Sequence, residues 1–280
     1  MDLHVASAVL AASLLHASWH ALVKSTGDRV VALAGMNVVS SATALALLPL
    51  TKPLPAVAFA VIAGSIVLHG AYKLALASVY VVADLGQAYP LARGLTPLMA
   101  AALALFALAE VPGPLSLAGI ALVCAGLLLL SFEGPGARLS ARTFTFAACA
   151  GFAVAAYSVV DAYGIRMTGD WFSFTVWLLV LDGSTFVGYA LATRGRKAIR
   201  IWKDNPGRTL VSGVLGVVSF GVFMWALGRA PVGLVSALRE TSVLFAAIIG
   251  AVALGERATW KRYAAAVAVM AGIAVITIGK

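Results

Sequence analysis

Apolar residues in this chain gather into runs of about twenty, separated by short polar or Gly/Pro-containing joints. The runs fall near 4–23, 30–50, 55–78, 82–108, 114–132, 143–164, 171–193, 209–228, 232–254 and 262–279. At about 1.5 Å per residue each is long enough to carry a helix across roughly 30 Å of hydrocarbon. A barrel would need shorter, alternating segments, so the pattern predicts ten transmembrane helices. Residues 194–208 form the one sizeable polar loop, and 133–142, with Glu133-Gly134-Pro135-Gly136, is the joint between two five-helix halves, 1–137 and 138–280.

The second half repeats the first. Ala75-Leu76-Ala77-Ser78 and Ala226-Leu227-Gly228-Arg229 close corresponding runs, as do Leu108-Ala109-Glu110 and Leu254-Gly255-Glu256. Glu110 and Glu256, Gly126 and Gly272, and Arg93 and Arg239 share one offset, with a gap of five residues around 82–86. Internal duplication in a polytopic chain marks secondary transporters, whose sites lie at the repeat interface near the bilayer midplane. The expected architecture is all-α and integral to the membrane, two five-helix inverted repeats around a central cavity.

Composition agrees: 62% of residues are hydrophobic and only 11% charged, far from a soluble globular domain. Met1-Asp2-Leu3-His4 has neither the basic start nor the small-residue cleavage site of a secretory signal, so the first run is expected to stay as a helix. Cys124 and Cys149 lie in apolar runs and read as small core residues. The formal charge of +9 does not imply nucleic acid, because the cations sit in loops between runs. Thirteen Lys and Arg fall on one side by alternate loops and four on the other. The positive-inside rule then places 194–208 in the cytoplasm and both termini outside.

Ionisable groups inside spanning helices are costly and point to function. His16, Trp19 and His20 stand at i, i+3, i+4 in the first run, and His69, Tyr72 and Lys73 stand likewise in the third, so each trio shares a helix face. The repeat sets these opposite Tyr157 and Asp161 and opposite Phe220, Phe223 and Met224. One wall is polar and basic, the other aromatic, which suits a small amphipathic solute. The expected binding set is His16, Trp19, His20, His69, Tyr72, Lys73, Tyr89, Tyr157, Asp161, Phe223 and Trp225. Lys73 would hold a substrate carboxylate, and Asp161, or in second place Asp84, its amino group.

The fourth run carries Asp84, Pro90, Arg93, Gly94 and Pro97. Prolines remove backbone donors, which makes this helix the expected hinge. Asp84, Pro90, Arg93, Pro97, Arg239 and Glu240 form the expected gating set, with Arg239 and Glu240 neutralising each other or Arg93 or Asp84. Phosphate loops, metal-binding His-Glu-x-x-His and nucleophile elbows do not occur in the sequence.

Trp19, Ala75-Leu76-Ala77-Ser78, Pro97-Leu98, Glu110 and Leu254-Gly255-Glu256, in this order and repeated, resemble the EamA-type members of the drug/metabolite transporter superfamily. Ala109 stands where the pattern usually has Gly, and Val243 where it often has Pro. The resemblance implies ten helices and a transporter, and the walls fit its amino-acid exporters best, including the aromatic branch. It also implies cytoplasmic termini, against the loop charges, which are weighed more heavily here.

The expected function is export of amino acids or similar small amphipathic metabolites by alternating access, from the bacterial inner membrane. A nucleobase, sugar or drug exporter of the same fold is the alternative, with a membrane enzyme or sensor further off. No enzyme activity, cofactor or metal is expected. The expected partners are the small-molecule substrate and the lipid bilayer, with proton coupling as one option.

Overall fold

The computed structural model describes residues 1–24, 29–82, 85–132, 140–195, 199, 205–246, 248 and 259–278. Among them the chain is helical and without strands: α1 (Leu3–Lys24), α2 (Arg29–Leu47), α3 (Ala56–Val82), α4 (Leu85–Leu108), α5 (Pro114–Leu130), α6 (Ala141–Thr168), α7 (Trp171–Arg194), α8 (Pro206–Leu227), α9 (Val232–Glu240) and α10 (Trp260–Ile278). Eight of these are long and apolar enough to cross a membrane; α5 has 17 residues and α9 nine. Large apolar side chains such as Phe106, Val67, Val267 and Met270 point outward, the surface a bilayer requires rather than water.

Local sequence sets the helix ends. Pro114 and Pro206 occupy first-turn positions where no backbone donor is needed. The Ser140 hydroxyl accepts from the Thr143 N–H to start α6, and Gly169, at φ 65°, closes it in the left-handed conformation glycine tolerates. Asp170 then caps α7, accepting from the Phe172 and Ser173 N–H groups. Burial opposes ionisation of Asp170, but these bonds, that from the Ser173 hydroxyl and the nearby Lys52 charge hold its pKa below the ordinary value.

Helices pack chiefly across the two halves. The contacts α1 with α8, α1 with α9 and α2 with α8 have counterparts in α6 with α3, α6 with α4 and α7 with α3; α2 with α7, α4 with α9 and α5 with α10 are their own counterparts. Small residues permit the close approaches: a Cβ on Gly119 would stand 2.9 Å from the Gly272 carbonyl oxygen, and one on Gly151 2.7 Å from that of Ala92. The largest core joins α1, α3, α4, α6, α7, α8 and α9 through residues such as Val9, Ile62, Ala100, Phe174, Met224 and Leu238. Cys124 is buried as expected; Cys149 faces outward.

The helix interruption falls elsewhere than the prolines suggest. Pro90 and Pro97 both lie inside a continuous α4, which tolerates two missing donors within its packing against α6, α5 and α9. α9 instead stops at Glu240 and resumes after a turn at Thr241. The Leu238 carbonyl at that break accepts from the Thr241 N–H at 3.2 Å, the Thr241 hydroxyl at 2.6 Å and the Ser13 hydroxyl of α1 at 3.1 Å. A side chain from a neighbouring helix thus helps satisfy backbone at a discontinuity inside the bundle.

Candidate functional site

Six helices bring polar and aromatic side chains to one buried centre. From α1, His16 and His20 approach Nε2 to Nε2 at 3.1 Å, and Trp19 stacks on His20 with centroids 3.8 Å apart. These are neighbours because i, i+3 and i+4 share a helix face. The His20 ring reaches Tyr89 of α4 at 5.7 Å. From α3, His69 stacks on Tyr157 of α6 at 4.0 Å, and Tyr72 lies edge-on to Tyr157 at 6.1 Å. Ser65 donates to Asp161 Oδ1 at 2.6 Å, while His69 Nε2 stands 3.6 Å from Oδ2.

The two arginines at the centre are treated differently. Arg93 donates from Nη1 to both oxygens of Glu240, at 3.1 and 3.3 Å, and from Nη2 to the Tyr72 hydroxyl at 3.0 Å. Both members of this ion pair are buried, and Glu240 therefore neutralises Arg93 rather than Arg239. Arg239 lies 4.1 Å over the Phe223 ring and 5.9 Å from Tyr157. Its buried Nη1 has no hydrogen-bond partner among the described residues. Each ring face offers the cation about 0.5–2 kcal/mol, less than a carboxylate would at that depth.

Trp19 Nε1, His69 Nε2 and Asp161 Oδ2 are likewise buried without a hydrogen-bond partner. Two of these, His69 Nε2 and Asp161 Oδ2, face one another at 3.6 Å, whereas Trp19 Nε1 and Arg239 Nη1 stand open, which is unusual in a packed interior. The centre is nevertheless packed rather than hollow. A pocket bordered by Ser13, His16, Ser219, Phe220, Phe223 and Arg239 has room for about one water molecule. The expected central cavity is filled here by stacked rings and the Arg93–Glu240 pair.

Of the expected binding residues, His16, Trp19, His20, His69, Tyr72, Tyr89, Tyr157, Asp161 and Phe223 meet in this cluster, together with Arg93, Arg239 and Glu240 from the expected gating set. Lys73 turns to α7, donating to both carboxylate oxygens of Asp182 at 3.1 and 3.0 Å, with its ammonium 4.7 Å over Phe186. Trp225 sits near the end of α8 beneath Arg229. Asp84 lies outside the described residues. Pro90 and Pro97 are buried along α4. Ser13, Ser65 and Phe220 were missed as site residues, although Ser13 precedes His16 by three and Ser65 precedes His69 by four, on the same faces.

A clamp lies toward one end of the bundle. Glu110 accepts from Arg166 at 2.6 Å and from the Val232 N–H at the start of α9 at 2.8 Å. Arg166 also donates to the carbonyls of Leu227 and Ala230. A carboxylate at a helix N-terminus and a guanidinium at a helix C-terminus both complement the backbone dipoles.

A polytopic helical membrane protein with an incompletely satisfied polar centre is the class that fold and site define. Residues 142–278 match the model of the EamA-like transporter family. The chain also aligns, over 98% of its length and 95% of the other's, with a solved chain described only as the crystal structure of a protein, at TM-score 0.74 and 17% identity, a likeness of fold alone. No curated protein matches. Residues 142–278 thus carry the sequence pattern of the EamA-like transporter family, whose members are membrane transporters of small molecules, and the apolar helices make the chain a multi-pass membrane protein.

Proposed function

We propose that the chain is a secondary transporter exporting amino acids or similar small amphipathic metabolites by alternating access, built as two five-helix inverted repeats. The observation that carries this reading is the buried centre itself, where groups with unmet hydrogen-bonding capacity stand beside aromatic walls. A resident structure would gain by satisfying those groups, whereas a site visited by a passing solute must leave them open. The exchange of helix contacts between halves supports the repeat. The Arg93–Glu240 pair joins α4 to α9, and breaking it would let the halves part, making it the gate. Asp161 Oδ2 is the acceptor for a substrate ammonium. The loop charges put 194–208 in the cytoplasm of a bacterial cell.

The test is uptake into proteoliposomes with radiolabelled amino acids, nucleobases and sugars. Saturable accumulation of amino acids, lost in Asp161→Asn, is the expected result. Accumulation of nucleobases or sugars alone would reassign the substrate, and no accumulation of any solute in either orientation would overturn the transporter reading.

A further inference from the structure

Arg239 is the second of two arginines related by the repeat, at the same offset that joins Glu110 to Glu256 and Gly126 to Gly272. Arg93 of the first half reaches across to Glu240 of the second. The counterpart of that pair would join Arg239 to the residue in the first half that matches Glu240, and that residue is Gly94. Gly94 cannot be replaced by an acid without disturbance, because even a Cβ there would stand 2.9 Å from Leu128 Cγ and 3.1 Å from the Leu128 backbone nitrogen on α5. Packing of α4 on α5 therefore excludes the second carboxylate. The charge of Arg239 is thus left without an ion pair of its own, since Glu240 pairs with Arg93 and Asp161, the other carboxylate of the centre, accepts from Ser65 and faces His69.

That charge borders the small pocket formed with Ser13, His16, Ser219, Phe220 and Phe223. Two of these groups have their protons engaged: the Ser13 hydroxyl donates to the Val9 and Leu238 carbonyls, and the Ser219 hydroxyl to that of Gly216. The guanidinium is left as the cationic donor of the pocket. Lys73 cannot take this part without leaving the two oxygens of Asp182.

We infer that Arg239 is the anchor for a monocarboxylate substrate, whose apolar or aromatic tail packs on Phe220 and Phe223. A planar guanidinium binds a carboxylate with two parallel hydrogen bonds. With Glu240 and Asp161 already at the centre, a monocarboxylate adds less negative charge than a phosphate dianion. The pocket's present size requires that Phe220 and Phe223 move apart as the ligand enters. This deepens the transporter reading by naming the group its substrate must carry, and it rests on that reading.

The test is binding of phenylacetate, hexanoate and L-phenylalanine to the full chain in detergent, set against phenylacetamide and L-phenylalaninamide, measured by titration calorimetry. The acids are expected to bind at least tenfold more tightly than the amides, a preference that Arg239→Gln abolishes and Arg239→Lys retains in part. Ser219→Glu, which places a carboxylate on the pocket wall, is expected to prevent acid binding while the protein remains folded. Equal affinity for acids and amides, no binding of any acid, or acid preference unchanged in either Arg239→Gln or Ser219→Glu would overturn the inference. Uptake of a neutral sugar without carboxylate binding would defeat this site and leave the transporter. Carboxylate binding with no transport of any solute would do the reverse.

Discussion

Helices α4 and α9 hold corresponding arginines, yet one is neutralised and the other is not. Arg93 lies on a continuous helix with two prolines and is paired with Glu240; Arg239 lies one residue before Glu240, two before a helix break, and rests on Phe223. The difference originates at a single aligned position, Gly94 against Glu240. Two helices thus each carry an arginine, and where α9 has Glu240 the aligned Gly94 of α4 lies close against Leu128. On the proposed reading, a cation without an ion pair on one side of the centre would give a solute one preferred orientation.

The largest effect should come from removing the shared acid. Glu240→Gln leaves the buried Arg93 without its carboxylate, and loss of one partner of a buried pair costs about 3–5 kcal/mol. Thermal unfolding in detergent should fall steeply for Glu240→Gln and recover in the double variant Arg93→Met, Glu240→Gln. Arg239→Gln, by contrast, should change unfolding little, since no ion pair among the described residues is lost. Equal destabilisation by Glu240→Gln and Arg239→Gln would mean that the two arginines share the acid and that the asymmetry is not real.

A smaller effect is expected at the other intramembrane pair. Lys73 and Asp182 are partly exposed, so removing one partner should cost less than the ~3–5 kcal/mol of a fully buried pair. The repeat sets Lys73 against the buried Met224, so Lys73→Met makes the halves more alike at this place. It should lower stability by less than that and leave any preference for acids over amides intact. Loss of the preference in Lys73→Met would return the carboxylate to Lys73 and remove the argument for Arg239.

The break in α9 permits a comparison of backbone behaviour. Thr241→Val removes a hydroxyl donor to the Leu238 carbonyl while keeping the branched shape, at a cost of about 1 kcal/mol. Exchange in proteoliposomes should slow more in Thr241→Val than in Pro97→Ala, because the interruption lies in α9 and α4 runs through its prolines. A slower Pro97→Ala would restore α4 as the hinge.

Much of the centre could be read from spacing alone. His16, Trp19 and His20, and His69 and Tyr72, share helix faces, and a polar face in an apolar helix must turn inward, so their convergence required no knowledge of tertiary structure. The partners could not be read in this way. Lys73 finds Asp182 109 residues away and Arg93 finds Glu240 147 away, pairings set by how α3 meets α7 and α4 meets α9. Among the described residues the interruption lies in α9 and not at a proline. Proline removes a donor, but whether a helix then parts depends on its neighbours, and at Thr241 a serine from α1 supports a break with no proline present.

The smallest effect concerns the end of α4, where the halves differ again: Ala109 precedes Glu110, and Gly255 precedes Glu256. Ala109 adopts φ 54°, a left-handed conformation that costs a residue with a Cβ about 1–2 kcal/mol. It holds that conformation because Glu110 beyond it is fixed by Arg166 and by the Val232 N–H. Ala109→Gly would relieve the strain, while glycine's added freedom in the unfolded chain takes back about 0.4–1 kcal/mol. A net gain of about 0.5–1 kcal/mol is expected, seen as a small rise in the unfolding midpoint with transport unchanged. The opposite result, a lower midpoint, would show that the Ala109 methyl contributes more by packing than it costs in strain.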